Sequence, residues 1–123
     1  MTGIEETFHE NGQLSRRVNY KDGKKDGLSD FFLENGQLFI KENYIDGEID
    51  GLWEIFGENG QLILKQNLKD GELDGLTESF HANGQSEVRL NYKDDERDGL
   101  WEEFDENGNL IETRMYRNGV LVE

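Results

Sequence analysis

The chain contains no cysteine and no proline, and its 123 residues include only 13 basic side chains against 28 acidic ones. The lack of cysteine excludes disulfides and thiolate metal sites and suits a reducing compartment. The net charge of −15 opposes binding to nucleic acid and anionic lipid, because both require cationic neutralisation. It favours a cationic partner and fast, salt-sensitive association. Solubility and protection of a sheet against aggregation account for the same charge equally well.

Long hydrophobic runs are also missing. No apolar stretch approaches the ~18 residues that a membrane-spanning helix needs, and no signal-peptide pattern is present. We therefore expect no membrane insertion. The first repeat, described next, begins only two residues into the sequence, so a trimmed leader or anchor stays open as an alternative.

A 24-residue repeat fills the chain and argues against the disorder that its high charge would otherwise indicate. Each unit begins with a glycine, followed by an apolar residue, and carries a phenylalanine at repeat position 6. The five first residues are Gly3, Gly27, Gly51, Gly75 and Gly99. The repeats are 3–26, 27–50, 51–74, 75–98 and 99–122, and since no linker separates them we predict one domain over residues 1–123.

Two turn signals in each repeat predict β-hairpins. One is an Asn-Gly pair and the other is Asp-Gly or a relative, which repeat 4 replaces with Asp94-Asp95. The expected fold is all-β: an elongated, single-layer, twisted antiparallel meander of about ten strands. We expect three-residue loops at both turns, which would put repeat positions 2, 6, 12, 14 and 18 on one face. In repeat 3 these positions are Leu52, Phe56, Leu62, Leu64 and Leu68.

The unit GLWEIFGENGQLILKQNLKDGELDG resembles the MORN-variant repeat and is similar to bacterial YwqK-type antitoxins. The resemblance covers residues 3–122, although repeat 4 has Ser86 in place of leucine and repeat 5 has Met115 in place of asparagine. It implies an elongated twisted β-sheet. It also implies an antitoxin or immunity role in which a toxin is neutralised by direct binding, and with it a bacterial cytoplasmic location. A trimmed leader would place the protein in the periplasm or on the surface instead.

Catalysis and metal binding have little support in the sequence. His9 and His81 occupy the same repeat position three repeats apart, roughly 29 Å, so they cannot form a dyad or share a metal. The Asp-Gly turns supply too few oxygen ligands for a calcium loop. Four asparagines before these turns are expected to bond the turn backbone. We predict a protein that is not an enzyme and has no cofactor.

The candidate binding site lies where the repetition fails. Repeat positions 3, 5, 13 and 15, expected on the second face, are polar or small in repeats 1 and 4, whereas some of them hold large apolar residues in repeats 2, 3 and 5. The exceptional residues are Phe31, Phe39, Trp53, Ile55, Ile63, Trp101 and Ile111. Aromatic anchors near charge are typical of interface hot spots, and we expect Asp30, Glu54 and Glu58 to steer the partner. Cross-strand pairing that stiffens the sheet is the structural alternative.

The sequence thus predicts a protein-binding module, monomeric when free, that neutralises a basic toxin. A structural scaffold or a surface- or wall-associated binding protein is the alternative. Repeat position 4 is always Glu or Asp. These acids form either a strip that binds basic residues of a partner or a ladder of charges exposed to solvent.

Overall fold

A computed structural model describes residues 1–122, which form one antiparallel sheet. Its strands are β1 (Gly3–Phe8), β2 (Leu14–Lys21), β3 (Lys24–Phe32), β4 (Leu38–Ile45), β5 (Glu48–Ile49), β6 (Gly51–Phe56), β7 (Leu62–Lys69), β8 (Glu72–Leu73), β9 (Gly75–Phe80), β10 (Ser86–Lys93), β11 (Glu96–Phe104), β12 (Leu110–Arg117) and β13 (Val120–Leu121). Neighbours in the sheet follow chain order, while β5 pairs with β4 and β8 pairs with β7. Since β5–β6 and β8–β9 are strands interrupted at one residue, the predicted ten-strand meander is confirmed, with β13 added at its end.

The Asn-Gly turn is the predicted three-residue loop. In repeat 1 the His9 N–H donates to the Gln13 carbonyl at 2.8 Å, and the Gly12 N–H donates to the His9 carbonyl at 3.0 Å. Gly12 has φ +89°, so it holds the left-handed position that closes such a loop. The Asn11 side chain also accepts the Gln13 N–H at 2.9 Å, which explains why asparagine precedes the glycine.

The Asp-Gly turn is different from the prediction. Tyr44 pairs with Ile49 and Ile45 with Glu48, which leaves a two-residue loop. Asp46 and Gly47 have φ +49° and +87°, the signature of a type I′ turn. Its twist matches that of the flanking strands, and this match outweighs the parity argument for a three-residue loop.

A β-bulge at repeat position 13 changes which residues share a face. Phe56 pairs with Leu62, but the next pair is Ile55 with Leu64, so Ile63 has no partner of its own. Beyond the bulge the alternation is inverted. The predicted common face for positions 2, 6, 12, 14 and 18 was therefore wrong.

The sheet therefore has two faces, which are called the regular face and the variable face. The regular face carries repeat positions 2, 4, 6, 12, 15 and 17, which in repeat 3 are Leu52, Glu54, Phe56, Leu62, Lys65 and Asn67. The variable face carries positions 3, 5, 13, 14, 16 and 18, which in repeat 3 are Trp53, Ile55, Ile63, Leu64, Gln66 and Leu68. A hydrogen bond of 3.3 Å from the Ser79 hydroxyl to Glu87 shows that the bulged residue lies on the variable face.

A second irregularity follows each type I′ turn. In β2–β3 the register shifts by two residues between Val18 and Tyr20, opposite Gly27, which has φ +98°. The Asn19 side chain donates to the Leu28 carbonyl across this gap at 2.8 Å. The recurring asparagines therefore donate to a backbone carbonyl next to the first glycine of the following repeat, which corrects the expectation that they bond the turn.

Hydrogen bonds join each type I′ turn to residues that follow the turn of the preceding repeat. The Gly47 N–H donates to the Lys25 carbonyl at 2.8 Å, and the Asp46 N–H donates to the Asp26 carboxylate at 3.2 Å. Repeat 4 keeps its turn because Asp94 and Asp95 both adopt positive φ, and the Asp95 carboxylate accepts the Leu73 N–H at 2.6 Å. These acidic residues thus have a structural role as acceptors for backbone N–H groups.

At the opposite edge, histidine links neighbouring repeats. The His9 Nε2 bonds the Phe32 carbonyl at 2.8 Å, and His81 bonds the Phe104 carbonyl at the same distance. This explains why the two histidines recur at one repeat position. Repeat 3 has Gly57 there, and a Cβ on Gly57 would meet only side-chain atoms, the nearest being Ile63 Cδ1 at 3.3 Å.

We expect Gly57→His to stabilise the sheet, because its imidazole would reach the Phe80 carbonyl as His9 and His81 reach theirs. A net hydrogen bond and the loss of glycine flexibility in the unfolded chain each contribute about 1 kcal/mol or less. Chemical denaturation should show a higher midpoint than for Gly57→Ala, which tests the flexibility alone. Equal midpoints would contradict the bridging role.

Candidate functional site

Chemical variation between repeats is concentrated on one face of the sheet. On the regular face, position 2 is always Ile or Leu, position 4 always acidic and position 6 always Phe, while position 15 is Arg or Lys in four repeats of five. On the variable face, positions 3, 5, 13, 14 and 16 each change chemical type between repeats. At position 14, for example, the residues are Arg16, Ile40, Leu64, Val88 and Glu112. The regular face repeats with the 24-residue period, whereas the variable face does so only at position 18, which is Tyr in four repeats and Leu in the fifth.

The acids at position 4 form a charge ladder on the regular face. Glu54 pairs with Lys41 on one side and Lys65 on the other. Across the sheet the ladder alternates in sign through Glu6, Arg17, Asp30, Lys41, Glu54, Lys65, Glu78, Arg89 and Glu102. Its ion pairs include Arg17–Glu6 at 3.1 Å and Arg89–Glu78 at 3.5 Å. The position-4 acids therefore face basic neighbours, which favours the solvated ladder over a strip that docks basic residues.

The predicted apolar residues come together on the variable face. Phe31 pairs with Ile40, Ile40 with Ile55, and Ile55 with Leu64, so one apolar row crosses β3, β4, β6 and β7. The exposed bulge residues flank this row: Phe39 is 38% exposed and Ile63 is 46% exposed. We call this area the central patch, consisting of Phe31, Phe39, Ile40, Tyr44, Trp53, Ile55, Ile63, Leu64 and Leu68.

Four members of the central patch were missed by sequence reasoning. Ile40, Tyr44, Leu64 and Leu68 belong to positions 14 and 18, which the expected loop geometry assigned to the other face. The detectable signal was the non-periodicity of position 14 itself, which resembles that of positions 3, 5 and 13. The bulge therefore adds four members to the five that the sequence placed in the central patch.

The predicted steering acids are placed differently from the expectation. Asp30 and Glu54 lie on the regular face, in the charge ladder, so they do not border the central patch. Glu58 is exposed in the Asn-Gly loop after β6, at the edge of the sheet. The strand alternation that separates position 4 from positions 3 and 5 is the reason.

Acidic charge is concentrated at the edge formed by the type I′ turns of repeats 2, 3 and 4. Residues 46–50, 69–74 and 93–98 carry ten acidic and three basic side chains. Among the described residues, no group of three or more His, Asp or Glu side chains is arranged to hold a metal ion. The edge supplies a negative field without a coordination site.

Trp53 is anchored by a carboxylate. Its indole Nε1 donates to Glu42 Oε2 at 3.0 Å, and the Tyr44 hydroxyl donates to Glu42 Oε1 at 3.1 Å. Burial, followed by the negative charge of Glu42, raises the pKa of the Tyr44 phenol. The Lys25 ammonium lies over the Tyr44 ring, 4.9 Å from its centroid. Glu42 thus places a carboxylate between two members of the central patch.

Trp101 occupies the position equivalent to Trp53 but has a different environment. The Arg114 guanidinium lies over its ring at 4.8 Å from the centroid. Cross-strand pairing separates the two tryptophans by four strands, about 19 Å. The structure therefore places Trp101 on the predicted face but outside the central patch.

The variable face also holds the most buried side chains. Val18 and Ser29 are fully buried, and Thr77, Leu90 and Tyr116 are nearly so. The Ser29 and Thr77 hydroxyls have no hydrogen-bond partner in the described part of the chain. Each small side chain shares a cross-strand row with Trp53, so packing between large and small residues on this face is part of what stabilises the single layer.

Acidic conditions should weaken the last Asn-Gly loop. Asp105 accepts the backbone N–H groups of Asn109 and Asn107 at 2.9 Å each, and these bonds, Asn109 first, together with the charge of His81 lower its pKa. Because the pKa of Asp105 is lower in the folded protein than in the unfolded chain, where it is about 4, the ionised carboxylate stabilises the fold above that pH. This stabilisation is lost as the pH falls through the pKa of the folded protein. We expect Asp105→Asn to remove this dependence. Melting curves of both proteins between about pH 5 and pH 2 should converge as the pH falls; an unchanged gap would contradict the role of the carboxylate.

The fold and the site together define a single-layer β-repeat protein with one scaffold face and one divergent face. The model of the MORN repeat variant family matches residues 1–22, 25–46, 49–70, 73–94 and 97–121. The chain belongs to this family. Its matched segments have the predicted 24-residue spacing and begin two residues before the unit boundaries chosen from the glycines.

Comparison with other proteins supports the fold alone. No curated protein sequence matches this chain. A point mutant of S. aureus TarM, crystallised with fondaparinux, alpha-GlcNAc-glycerol and UDP, is 12% identical with a TM-score of 0.51; the match covers 97% of this chain and 21% of TarM. A second TarM structure is 13% identical with a TM-score of 0.49, covering 95% and 21%. The chain thus spans about a fifth of the structures it resembles.

Proposed function

We propose that the protein is a non-enzymatic binding module whose variable face binds a partner protein, in the role of an antitoxin or immunity protein. The observation that carries this proposal is the concentration of chemical variation on one face. A scaffold requirement recurs every 24 residues, as the regular face does, whereas a residue selected for one partner does not. The central patch joins aromatic anchors to apolar neighbours, as interface hot spots do.

The partner that best fits this surface is a basic protein, such as a cationic toxin. The acidic edge formed by the type I′ turns borders the variable face, because Tyr44 and Leu68 stand beside these turns. A negative edge of this kind accelerates the approach of a cationic protein and makes association sensitive to salt. The steering role that the sequence assigned to Asp30 and Glu54 belongs better to this edge. The absence of cysteine supports a cytoplasmic encounter.

Two matched variants test which face binds. Ile63 on the variable face and Leu28 on the regular face are both 46% exposed, so replacing either with aspartate changes charge and polarity to a similar extent. Immobilised wild-type protein, Ile63→Asp and Leu28→Asp should be used to capture proteins from the source cell, with identification by mass spectrometry. We expect one basic protein to be retained by the wild type and by Leu28→Asp, and lost with Ile63→Asp. Co-expression should then relieve the toxicity of that protein.

A scaffold role is the second candidate, favoured by the exposed leucines of the regular face. Leu28, Leu52 and Leu100 are 46%, 38% and 39% exposed. Leu52 lies two strands from Leu28 and four strands from Leu100, with the less exposed Leu76 midway between Leu52 and Leu100. A periodic apolar stripe suits a repetitive or extended partner, such as a surface polymer or another scaffold protein. Loss of capture with Leu28→Asp but not with Ile63→Asp would favour this function over the antitoxin role.

A further inference from the structure

Trp53, Tyr44 and Glu42 form a small polar centre inside the apolar central patch. Glu42 on β4 and Trp53 on β6 each follow or precede the Lys41–Glu54 pair by one residue, and the indole N–H donates to the carboxylate at 3.0 Å. A carboxylate offers about four lone-pair positions. The Trp53 and Tyr44 bonds use two of them, so the group retains both its negative charge and further accepting capacity.

The second tryptophan of the chain shows what such an indole binds. Trp101 pairs across the sheet with Arg114, whose guanidinium covers the ring at 4.8 Å. Trp53 pairs in the same register with Gln66, a neutral side chain. The chain therefore covers Trp101 with an arginine of its own, whereas the residue that pairs with Trp53 carries no charge.

Combining these observations, we infer that Trp53 and Glu42 form a receptor for an arginine side chain of the partner protein. The inference rests on the proposed function and names the group that the variable face recognises. The guanidinium stacks on the indole ring as Arg114 stacks on Trp101, and its N–H groups donate to the free lone pairs of Glu42. Arginine fits better than lysine, because a planar, weakly hydrated cation stacks on an aromatic ring and bonds a carboxylate at the same time. The Tyr44 ring borders the site, but Lys25 already occupies the place over that ring where a cation would stack.

The apolar surroundings strengthen this recognition. Ile40 and Ile55 lie one row away, and Leu68 and Tyr44 lie on the other side of Trp53. Partner residues that cover these side chains would exclude water from the ion pair, so that an arginine docked here is a central contact rather than a rim contact. An unpaired Glu42 in the same covered interface would be costly, which makes the site selective against a neutral side chain.

A peptide titration tests the site without the natural partner. The probes are the capped tripeptide Gly-Arg-Gly and its citrulline analogue, which has the same shape without the charge. The indole N–H resonances of Trp53 and Trp101 are followed by NMR. We expect the arginine peptide to move the Trp53 resonance saturably at millimolar concentration, while Trp101, already covered by Arg114, does not move. The citrulline peptide should bind at least about fivefold more weakly.

Two variants separate recognition from folding. Glu42→Gln keeps an acceptor oxygen for Trp53 but removes the negative charge. It should weaken binding of the arginine peptide about fivefold or more. Gln66→Arg places a cation beside Trp53 as Arg114 stands beside Trp101, and should abolish peptide binding without lowering the melting temperature. The inference is overturned if the peptides bind equally, if both tryptophans respond alike, if neither moves, or if folded Gln66→Arg binds as the wild type does.

The outcome is distinguishable from that of the proposed function. Face-dependent capture of a basic protein with no response to the arginine peptide would refute the receptor and leave the binding module intact. A saturable arginine response with no protein whose capture depends on Ile63 would refute the proposed function instead.

Discussion

Trp53→Ala should weaken binding of the captured partner by about 2 kcal/mol or more, roughly a thirtyfold loss of affinity. Trp53 is half-buried at the middle of the central patch, held by Glu42, and it is the largest side chain there. Its removal leaves a partner contact unfilled and Glu42 without one of its two donors. Calorimetric titration of the wild type and the variant with the purified partner measures the loss.

Folding must be measured beside binding, because Trp53 also covers neighbouring residues in a single-layer sheet. Leu28→Asp on the regular face serves as the control, and it should leave affinity unchanged. If Trp53→Ala melts much earlier yet binds normally when folded, the patch only stiffens the sheet. The structural reading of the aromatic residues would then replace the interface.

Gly75→Val should destabilise the sheet by about 2 kcal/mol, the cost of a β-branched residue in the left-handed region. Gly75 has φ +101° at the irregularity that follows a type I′ turn. A Cβ there would make only an ordinary contact with Asn67 Cβ at 3.6 Å, so the backbone, not crowding, opposes a side chain. Thermal denaturation should show a decrease of roughly 10 °C. Gly57 provides the comparison, since it alone among the 15 glycines is not at positive φ. A melting temperature for Gly75→Val close to that of Gly57→Val would contradict the account.

The strand order and the Asn-Gly loop could be predicted from the sequence because both depend on local, repeated signals. Asn11 and Gly12 specify their loop through one side-chain bond and one left-handed residue, and every repeat carries the same pair. The two faces could not be assigned correctly. That assignment depends on parity, and a single unpaired residue inverts it for the rest of the strand.

The bulge itself leaves no residue signature. Position 13 is Ser15, Phe39, Ile63, Glu87 or Ile111, so no glycine or other special residue marks it. The three-residue loop brings Phe56 opposite Leu62, whereas pairing with the neighbouring repeats requires Ile55 opposite Leu64. The two pairings differ by one residue on β7, and Ile63 is that extra residue. Sequence reasoning therefore identified the divergent aromatic residues of the site, but it divided their neighbours between the wrong faces and placed Asp30 and Glu54 beside them.

The serial order of strands also determines how the protein would respond to mechanical force. β1 and β13 lie at opposite ends of the sheet, so tension applied through the two ends acts across the strands and opens hydrogen bonds one after another. Such peeling requires much less force than shearing a whole strand pair at once. Each repeat that detaches would release 24 residues, about 80 Å of extended chain less the 10 Å that its two strands span in the sheet. In an optical trap the protein should extend in nearly equal steps, and under low load it would yield gradually like a spring instead of breaking in one event.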